Sequence, residues 1–266
     1  MEQVWVPDAL DTVVPNSARI YDYMLGGGHN FEADRAAAQR LLAAVPARDM
    51  ARYNRSFLRR AVLFMIDAGI QQFLDLGSGI PTVGNVHEIA QEADPACRVL
   101  YVDIEPIAVA HSELLLEGND NAAAIRADLR KPAKILNSPE TRRLLDLKQP
   151  LGLLMLGVIQ FVPDSDDPWA IVADYHKRLA PGSYLAMSHF TPDGMPEQMA
   201  KAVEVFKNTQ DPAHPRTHAQ LMRMFDGFEL VEPGLVYTSQ WRPESPEDAG
   251  DHPHHSNLYA AVGRKL

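Results

Sequence analysis

The chain has 266 residues, 46% of them hydrophobic and 23% charged, which suits one large α/β domain or a domain with an appendage, and a substantial buried core. A formal net charge of −10 argues against a nucleic-acid backbone as the main partner, because neutralising phosphates takes a basic surface. Cys97 is the single cysteine, which excludes an internal disulfide and a cysteine-based metal site.

Residues 1–15 carry two prolines and no periodicity, and read as an extended lead-in. The opening MEQVWVPDAL lacks the basic and apolar regions of a secretory leader, and no apolar run approaches the ~18 residues of a membrane span. A cytoplasmic protein with no membrane partner is expected. Asn16 and Ser17 are good caps for a helix over Ala18–Leu25, which Gly26-Gly27-Gly28 ends. Three glycines exceed what a helix stop requires; a hinge beside a ligand and a redundant cap both remain open. A second helix spans Glu32–Val45, and a longer one Asp49–Ala68 with Met50, Tyr53, Phe57, Ala61 and Met65 as its core stripe. Arg52, Arg55 and Arg59 share a neighbouring stripe, either as a solvated face or with one guanidinium aimed at a carboxylate in a cleft. Residues 1–70 read as a helical cap or lid, and residues 71–266 as the sheet domain that follows.

The sheet domain is organised around Gln71–Pro81, QQFLDLGSGIP. Phe73, Leu74 and Leu76 make a short buried strand that holds Asp75, and the strand runs into Gly77-Ser78-Gly79 before a helix expected over Thr82–Ala93. Strand, glycine turn and helix start together form a nucleotide-like site, the glycines admitting close backbone approach and the helix N–H groups adding dipoles. A dinucleotide fingerprint would need glycine where Thr82 stands, so a pyrophosphate lacks its cradle. The form suits instead an adenosine with an amino-acid tail, as in S-adenosylmethionine.

Strands and helices then alternate, the pattern of a parallel sheet covered on both faces. The second strand, Arg98–Asp103, ends in an acid that can accept both ribose hydroxyls, 26 residues beyond Gly77 where about 20 is usual. The third, Ala122–Arg126, leads to Asp128-Leu129, an acid and a backbone N–H suited to an adenine edge. For both acids the alternative is a cap or turn. Leu151–Val158 reads as a central strand and Ser183–Phe190 as a fifth, with His189 at its carboxyl end. Helices follow over Met195–Asn208 and Thr217–Phe225, then two terminal strands, Phe228–Thr238 and Asn257–Val262, the last inserting antiparallel. His252, His254 and His255 lie in a polar loop without a second ligand set, so no metal site is expected.

DLGSG at residues 75–79, YVD at 101–103, ADL at 127–129 and LGVIQF at 156–161 resemble the ordered motifs of class I S-adenosylmethionine-dependent methyltransferases. ARIYDYMLGG at 18–27, NRSFLRR at 54–60, NVHEIA at 85–90, PGLV at 233–236 and WRP at 241–243 are similar to the actinobacterial S-adenosyl methyltransferase family first catalogued as a domain of unknown function. The resemblance covers nearly the whole chain. It implies an α/β, Rossmann-like seven-stranded sheet, mostly parallel with the last strand antiparallel, under an N-terminal helical cap. It implies S-adenosylmethionine as cofactor and S-adenosylhomocysteine as product. The cofactor-binding residues it implies are Arg19, Tyr21 and Asn54 from the cap, Asp75, Gly77, Ser78 and Gly79 from the glycine turn, Asp103 and Ile104, Asp128 and Leu129, and Gly157 and Val158. Relatives tend to carry histidine where Gln160 stands, which removes an acid–base group there. Some members methylate indole-bearing cyclic dipeptides at carbon 3, with closure to a pyrroloindoline, or at nitrogen.

The expected activity is methyl transfer to a small molecule, with Tyr23 and His189 as candidate catalytic residues and Tyr21 and His29 flanking the glycine run. The competing readings are a nicotinamide-dependent oxidoreductase and a protein that binds S-adenosylmethionine without chemistry. The sequence is silent on oligomeric state.

Overall fold

The computed structural model describes residues 11–82 and 84–266, so the first ten residues of the expected lead-in lie outside the described residues. Three helices come first: α1 (Ser17–Met24), α2 (Glu32–Ala44) and α3 (Ala47–Asp67). Asn16 caps α1 by accepting from the backbone N–H groups of Ala18 and Arg19. Alternation then begins with β1 (Gln72–Leu76), α4 (Val86–Ala93), β2 (Arg98–Asp103), α5 (Pro106–Leu115) and β3 (Ala122–Arg126). It continues through α6 (Pro132–Leu136), α7 (Pro139–Leu144), β4 (Gly152–Leu156), α8 (Pro168–Arg178) and β5 (Tyr184–Phe190). The remainder is α9 (Pro196–Phe206), α10 (His218–Met222), β6 (Phe228–Leu230), β7 (Val236–Tyr237), α11 (Pro246–Ala249) and β8 (Leu258–Lys265).

The strands form one eight-stranded sheet in the order β3-β2-β1-β4-β5-β8-β6, with β7 also on β8. The pairs from β3 through β5 are parallel, and β8 runs antiparallel to β5, β6 and β7. The single strand expected over Phe228–Thr238 is thus two short ones. Pro233 supplies no N–H to a ladder, and Gly234 turns back to donate to the Val231 carbonyl, so β6 and β7 take successive stretches of the same β8 edge. The sheet is therefore seven places wide with its last place shared.

Every residue of β1 is buried, as are the first four of β4, the condition of central strands covered on both faces. One face packs on α3 and α4 through Phe57, Ala61, Met65 and Val86; the other packs on α8 and its neighbours through Ile171, Val172 and Tyr175. A third cluster fills the cap, where Ile20, Met24, Leu41 and Met50 meet Met199, Ala202 and Phe206 of α9. Helix α9 thus completes the cap from far along the chain. Arg19 fastens the cap to the sheet. It is fully buried, its Nε 2.9 Å from Asp34 and its Nη1 2.9 Å from Glu105, just past the end of β2, while Nη2 donates to the Asp11 and Val14 carbonyls.

The glycine run also has a packing role. Asp22 is buried and accepts from the His29 N–H and the Asn30 side chain, and the chain folds so tightly over this carboxylate that a Cβ on Gly27 would sit 1.9 Å from Asp22 Oδ1. No helix among the described residues is long and apolar enough to cross a membrane.

Candidate active site

Strand order reverses between β1 and β4, and in an open α/β sheet ligands bind at the carboxyl ends beside such a switch. A cavity of about 370 Å3 opens there. Its sheet side is polar and carries Asp75, Gly77, Ser78, Gly79, Asp103 and Ile104, with Asp128, Leu129, Gly157 and Val158 opposite. From the cap it takes the apolar Ile20, Met24, Leu41 and Met50 together with Asn16, Ser17 and Arg55, and Phe161, Phe190 and Phe206 line it as well. Those three phenylalanine rings cluster, with centroids 5.5 to 6.3 Å apart. Tyr21 and Asn54 stand between the two sides.

Twelve of the expected cofactor residues therefore line one cavity. The thirteenth, Arg19, does not: its guanidinium is enclosed by Asp34, Glu105 and two carbonyls, so it positions the wall rather than forming it. Of the three stripe arginines, Arg52 pairs with Asp49 and Arg59 with Glu244 at the surface, whereas Arg55 lines the cavity and donates to the Gly84 carbonyl.

The glycine turn differs from expectation. Helix α4 starts at Val86, not Thr82, because Asn85 closes a capping box with Glu88 and also takes the Thr82 N–H. Its N-terminal dipole is accordingly not presented to the cavity. The turn's own N–H groups are engaged by β2: Gly77 and Ser78 donate to the Val102 carbonyl, and Gly79 to Asp103 Oδ2 at 2.7 Å. Gly77 is required as glycine, since its φ is +70° and a Cβ would meet Val158 Cγ2 at 2.1 Å.

The carboxylates differ in character. Burial pushes the Asp75 carboxyl up to about 7, against the opposing charge of Arg55 and with the help of Asp103. Burial likewise raises Asp103, although the N–H groups of Glu105 and Gly79 hold it down in part. Burial would raise Asp128 too, but Arg130 outweighs it with bonds to both oxygens, and the group ends below its usual range. An adenine amino group at Asp128 would meet oxygens already shared with a guanidinium. Glu105 and Asp211 also line the cavity; Asp211 reaches it by accepting from the Asn16 side chain and the Ser17 N–H.

Neither candidate catalytic residue lines the cavity. The Tyr23 hydroxyl accepts from Gln39 on α2 at 2.7 Å. His189 is 1% exposed, with Arg216 Nη1 2.9 Å from its Nε2. A guanidinium can only donate, so Nε2 accepts, and Nδ1 carries the proton that goes to the Phe190 carbonyl at 2.8 Å. Both nitrogens are occupied, and burial lowers the imidazole to about 3. His189 is thus a neutral structural histidine at any working pH. Tyr23→Phe is expected to leave cofactor affinity and turnover unchanged, and the pH–rate profile to show no limb from His189; a rate loss of tenfold or more in Tyr23→Phe would bring that hydroxyl back into the reaction.

His252, His254 and His255 gather, with one ring nitrogen of each within 4.8 Å of the others, and they lie outside the cavity wall. Two lining features escaped sequence reasoning. One is the aromatic cluster, assembled from three separate segments. The other is Gln160, 2% exposed, which lines the cavity in spite of lacking acid–base chemistry.

The fold and this cavity can be set beside known proteins. The model of the S-adenosyl methyltransferase family matches residues 3–266. The crystal structure of a candidate methyltransferase from Thermobifida fusca is 42% identical, with 99% of each chain covered and a TM-score of 0.92. That of a DUF574 family protein from Streptomyces avermitilis is 41% identical over 96% of this chain and 99% of its own, also at 0.92. The magnesium protoporphyrin IX methyltransferase of Synechocystis, solved with S-adenosylhomocysteine, shares the fold alone, at 14% identity over 93% of each chain and a TM-score of 0.56. No curated protein matches in sequence. Full-length agreement with the family model, two relatives above 40% identity and a cavity at the switch point of a methyltransferase sheet lead to one conclusion: the chain belongs to the S-adenosyl methyltransferase family, whose cofactor is S-adenosylmethionine.

Proposed function

We propose that this chain transfers a methyl group to an uncharged, largely apolar small molecule, and that the acceptor is a tryptophan-containing cyclic dipeptide methylated at indole carbon 3. The observation that carries the reading is the division of the cavity into a polar half at the sheet and an aromatic half under the cap. The polar half fits the cofactor. Asp103 would accept from ribose hydroxyls, Gly77 would admit close approach, and Asp75 beside Arg55 would offer a charge of each sign to an amino-acid zwitterion. Bound there, S-adenosylmethionine supplies an electrophilic methyl group on a sulfonium sulfur.

The protein's task is alignment and exclusion of water, and the cap residues Met24, Leu41, Met50 and Phe206 provide a dry wall for both. No histidine, lysine or cysteine lines the cavity among the described residues. Tyr21 lines it as a phenol, because burial raises its hydroxyl and outweighs the opposing effects of Arg55 and Asn54. The lining carboxylates Asp75 and Asp103 belong to the half that this reading gives to the cofactor, so a nucleophile under the cap that needs deprotonation before attack is poorly served. Indole carbon 3 needs none: it would form the bond to the methyl carbon as that carbon's bond to sulfur breaks, S-adenosylhomocysteine leaving with the electron pair, and carbon 2 would become electrophilic. The dipeptide amide nitrogen would close on carbon 2, and its proton would pass to water only after the carbon–carbon bond exists. The same absence of a lining histidine or lysine favours, as a second reading, a protein that binds the cofactor without turnover.

Calorimetric titration with S-adenosylhomocysteine, with NADH as control, tests the cofactor. Incubation with tryptophan-containing cyclic dipeptides and mass analysis for one added methylene tests the reaction. Binding without product from any such acceptor would favour the second reading.

Asp75 gives this binding a pH signature. An ammonium group favours the ionised carboxylate, so binding below about pH 7 must expel a proton. Affinity for S-adenosylhomocysteine is expected to rise by up to about tenfold per pH unit towards 7 and then level off, with a flat profile in Asp75→Asn. In the ligand-free fold the sign is opposite. A raised carboxyl contributes its stability fully below 3.8, its ordinary value, and loses it as pH climbs through about 7.

A further inference from the structure

Two buried amide groups meet where the polar and apolar halves of the cavity join. Gln160 Oε1 accepts from the Phe190 backbone N–H at 3.0 Å. A backbone N–H can only donate, so this bond fixes which end of the amide is which and turns Nε2 the other way. No described residue accepts from Nε2, although Gln160 is only 2% exposed. Asn54, 6% exposed, is fixed by a similar argument. The Tyr21 hydroxyl gives its proton to the Ala51 carbonyl and so accepts from Asn54 Nδ2 at 3.2 Å, while Asn54 Oδ1 accepts from Ser188. One Nδ2 hydrogen is left without a described acceptor. Both nitrogens flank Gly157, whose absent Cβ would lie 3.5 Å from Asn54 Nδ2 and 3.9 Å from Gln160 Nε2.

Both residues line the cavity, so a donor without a protein acceptor there takes its partner from whatever fills the cavity, and a ligand oxygen can supply it. We propose that Asn54, expected from the sequence on the cofactor, and Gln160 instead form a subsite for a neutral carbonyl oxygen of the acceptor molecule, and so decide which acceptors are held in line for methyl transfer. The lining guanidinium on the same helix as Asn54, Arg55, is directed to the Gly84 carbonyl and towards Asp75, so the two N–H donors beside Gly157 are neutral ones, which suit an amide carbonyl better than a carboxylate. The apolar half beyond them takes the aromatic part. The subsite rests on the methyltransferase reading, and it adds a requirement that reading lacks: an apolar aromatic without a carbonyl fills the pocket but is not oriented by it. Gln160 acts here as a positioning residue through its contact with the acceptor, not as an acid or base.

The test uses the full chain saturated with S-adenosylhomocysteine and two probes, the cyclic dipeptide of two L-tryptophans and 3-methylindole, which has no carbonyl. Gln160→Glu keeps an oxygen for the Phe190 N–H and removes the donor; Gln160→Leu removes both. Each variant is expected to bind the cyclic dipeptide about tenfold or more weakly, the loss of one hydrogen bond, with 3-methylindole and S-adenosylhomocysteine bound as in the parent. Equal losses for both probes, or no loss for the dipeptide, would overturn the subsite. So would S-adenosylhomocysteine binding to the parent protein that then takes up no dipeptide. A matching fall in S-adenosylhomocysteine affinity would place the donors on the cofactor's carboxylate, which also overturns it. Failure of S-adenosylhomocysteine to bind the parent protein at all would instead bring down the methyltransferase reading, and the subsite with it.

Discussion

Asp103→Asn is expected to remain folded and to bind S-adenosylhomocysteine about a hundredfold more weakly, because a charge-assisted hydrogen bond of ~1.5–3 kcal/mol is lost with the carboxylate. Each Asp103 oxygen already takes one backbone donor, Oδ2 from Gly79 and Oδ1 from Glu105, which aims the remaining lone pairs at the cavity. An asparagine must turn its NH2 towards one of those N–H groups, so the glycine turn loosens as well. Alanine is the poorer choice, since it would strand both backbone donors and mix a folding defect with a binding one. Calorimetry on the folded variant decides the matter: an affinity within twofold of the parent would remove Asp103 from the ribose edge.

The second large effect concerns stability. Arg19→Met is expected to lower it by ~3–5 kcal/mol, the cost of leaving buried charges without their partner. For a chain of this size that is a fall of roughly 10 °C in Tm. The partners left behind are Asp34, which is fully buried, and Glu105, which is nearly so. Burial raises the Glu105 carboxyl while Arg19 holds it down, so the variant should lose more at pH 8 than at pH 5, where protonation relieves the stranded acid. Arg19→Lys keeps the charge but not the fork that spans two acids and two carbonyls, and should fall between. Thermal unfolding at the two pH values checks both statements; an unshifted Tm would mean that the ion pairs contribute nothing beyond packing.

The sheet was legible in the sequence because its central strands are continuous apolar runs and their carboxyl ends carry acids in a recognisable order. Asp75, Asp103 and Asp128 all reach the cavity from such ends. His189 shows where that logic fails. Topology says which end of β5 a residue occupies, but side chains alternate between faces along a strand. Ser188 points to Asn54 at the cavity edge, and its neighbour His189 points away to Arg216. One step of alternation separates the two, and composition around the strand end does not reveal it. The aromatic cluster was hidden for a different reason. Phe161 follows β4, Phe190 ends β5 and Phe206 ends α9, and no local period links them. The return of α9 to the cap was equally invisible, since its amphipathic stripe says that it packs but not against what.

The fastening of Asp211 to Asn16 and Ser17 bears on how the cavity comes into being. Asn16 and Asp211 stand 195 residues apart, and Leu258 on β8 closes another part of the same wall. The cavity wall draws on segments from Asn16 to Leu258, and the described part of the cap, residues 11–70, shares its core with α9. Bringing such distant segments together means closing the longest loops, the steps that lose most chain entropy and come late in folding. A ligand in this cavity therefore draws on the whole fold, and its occupancy and global folding form a single linked equilibrium.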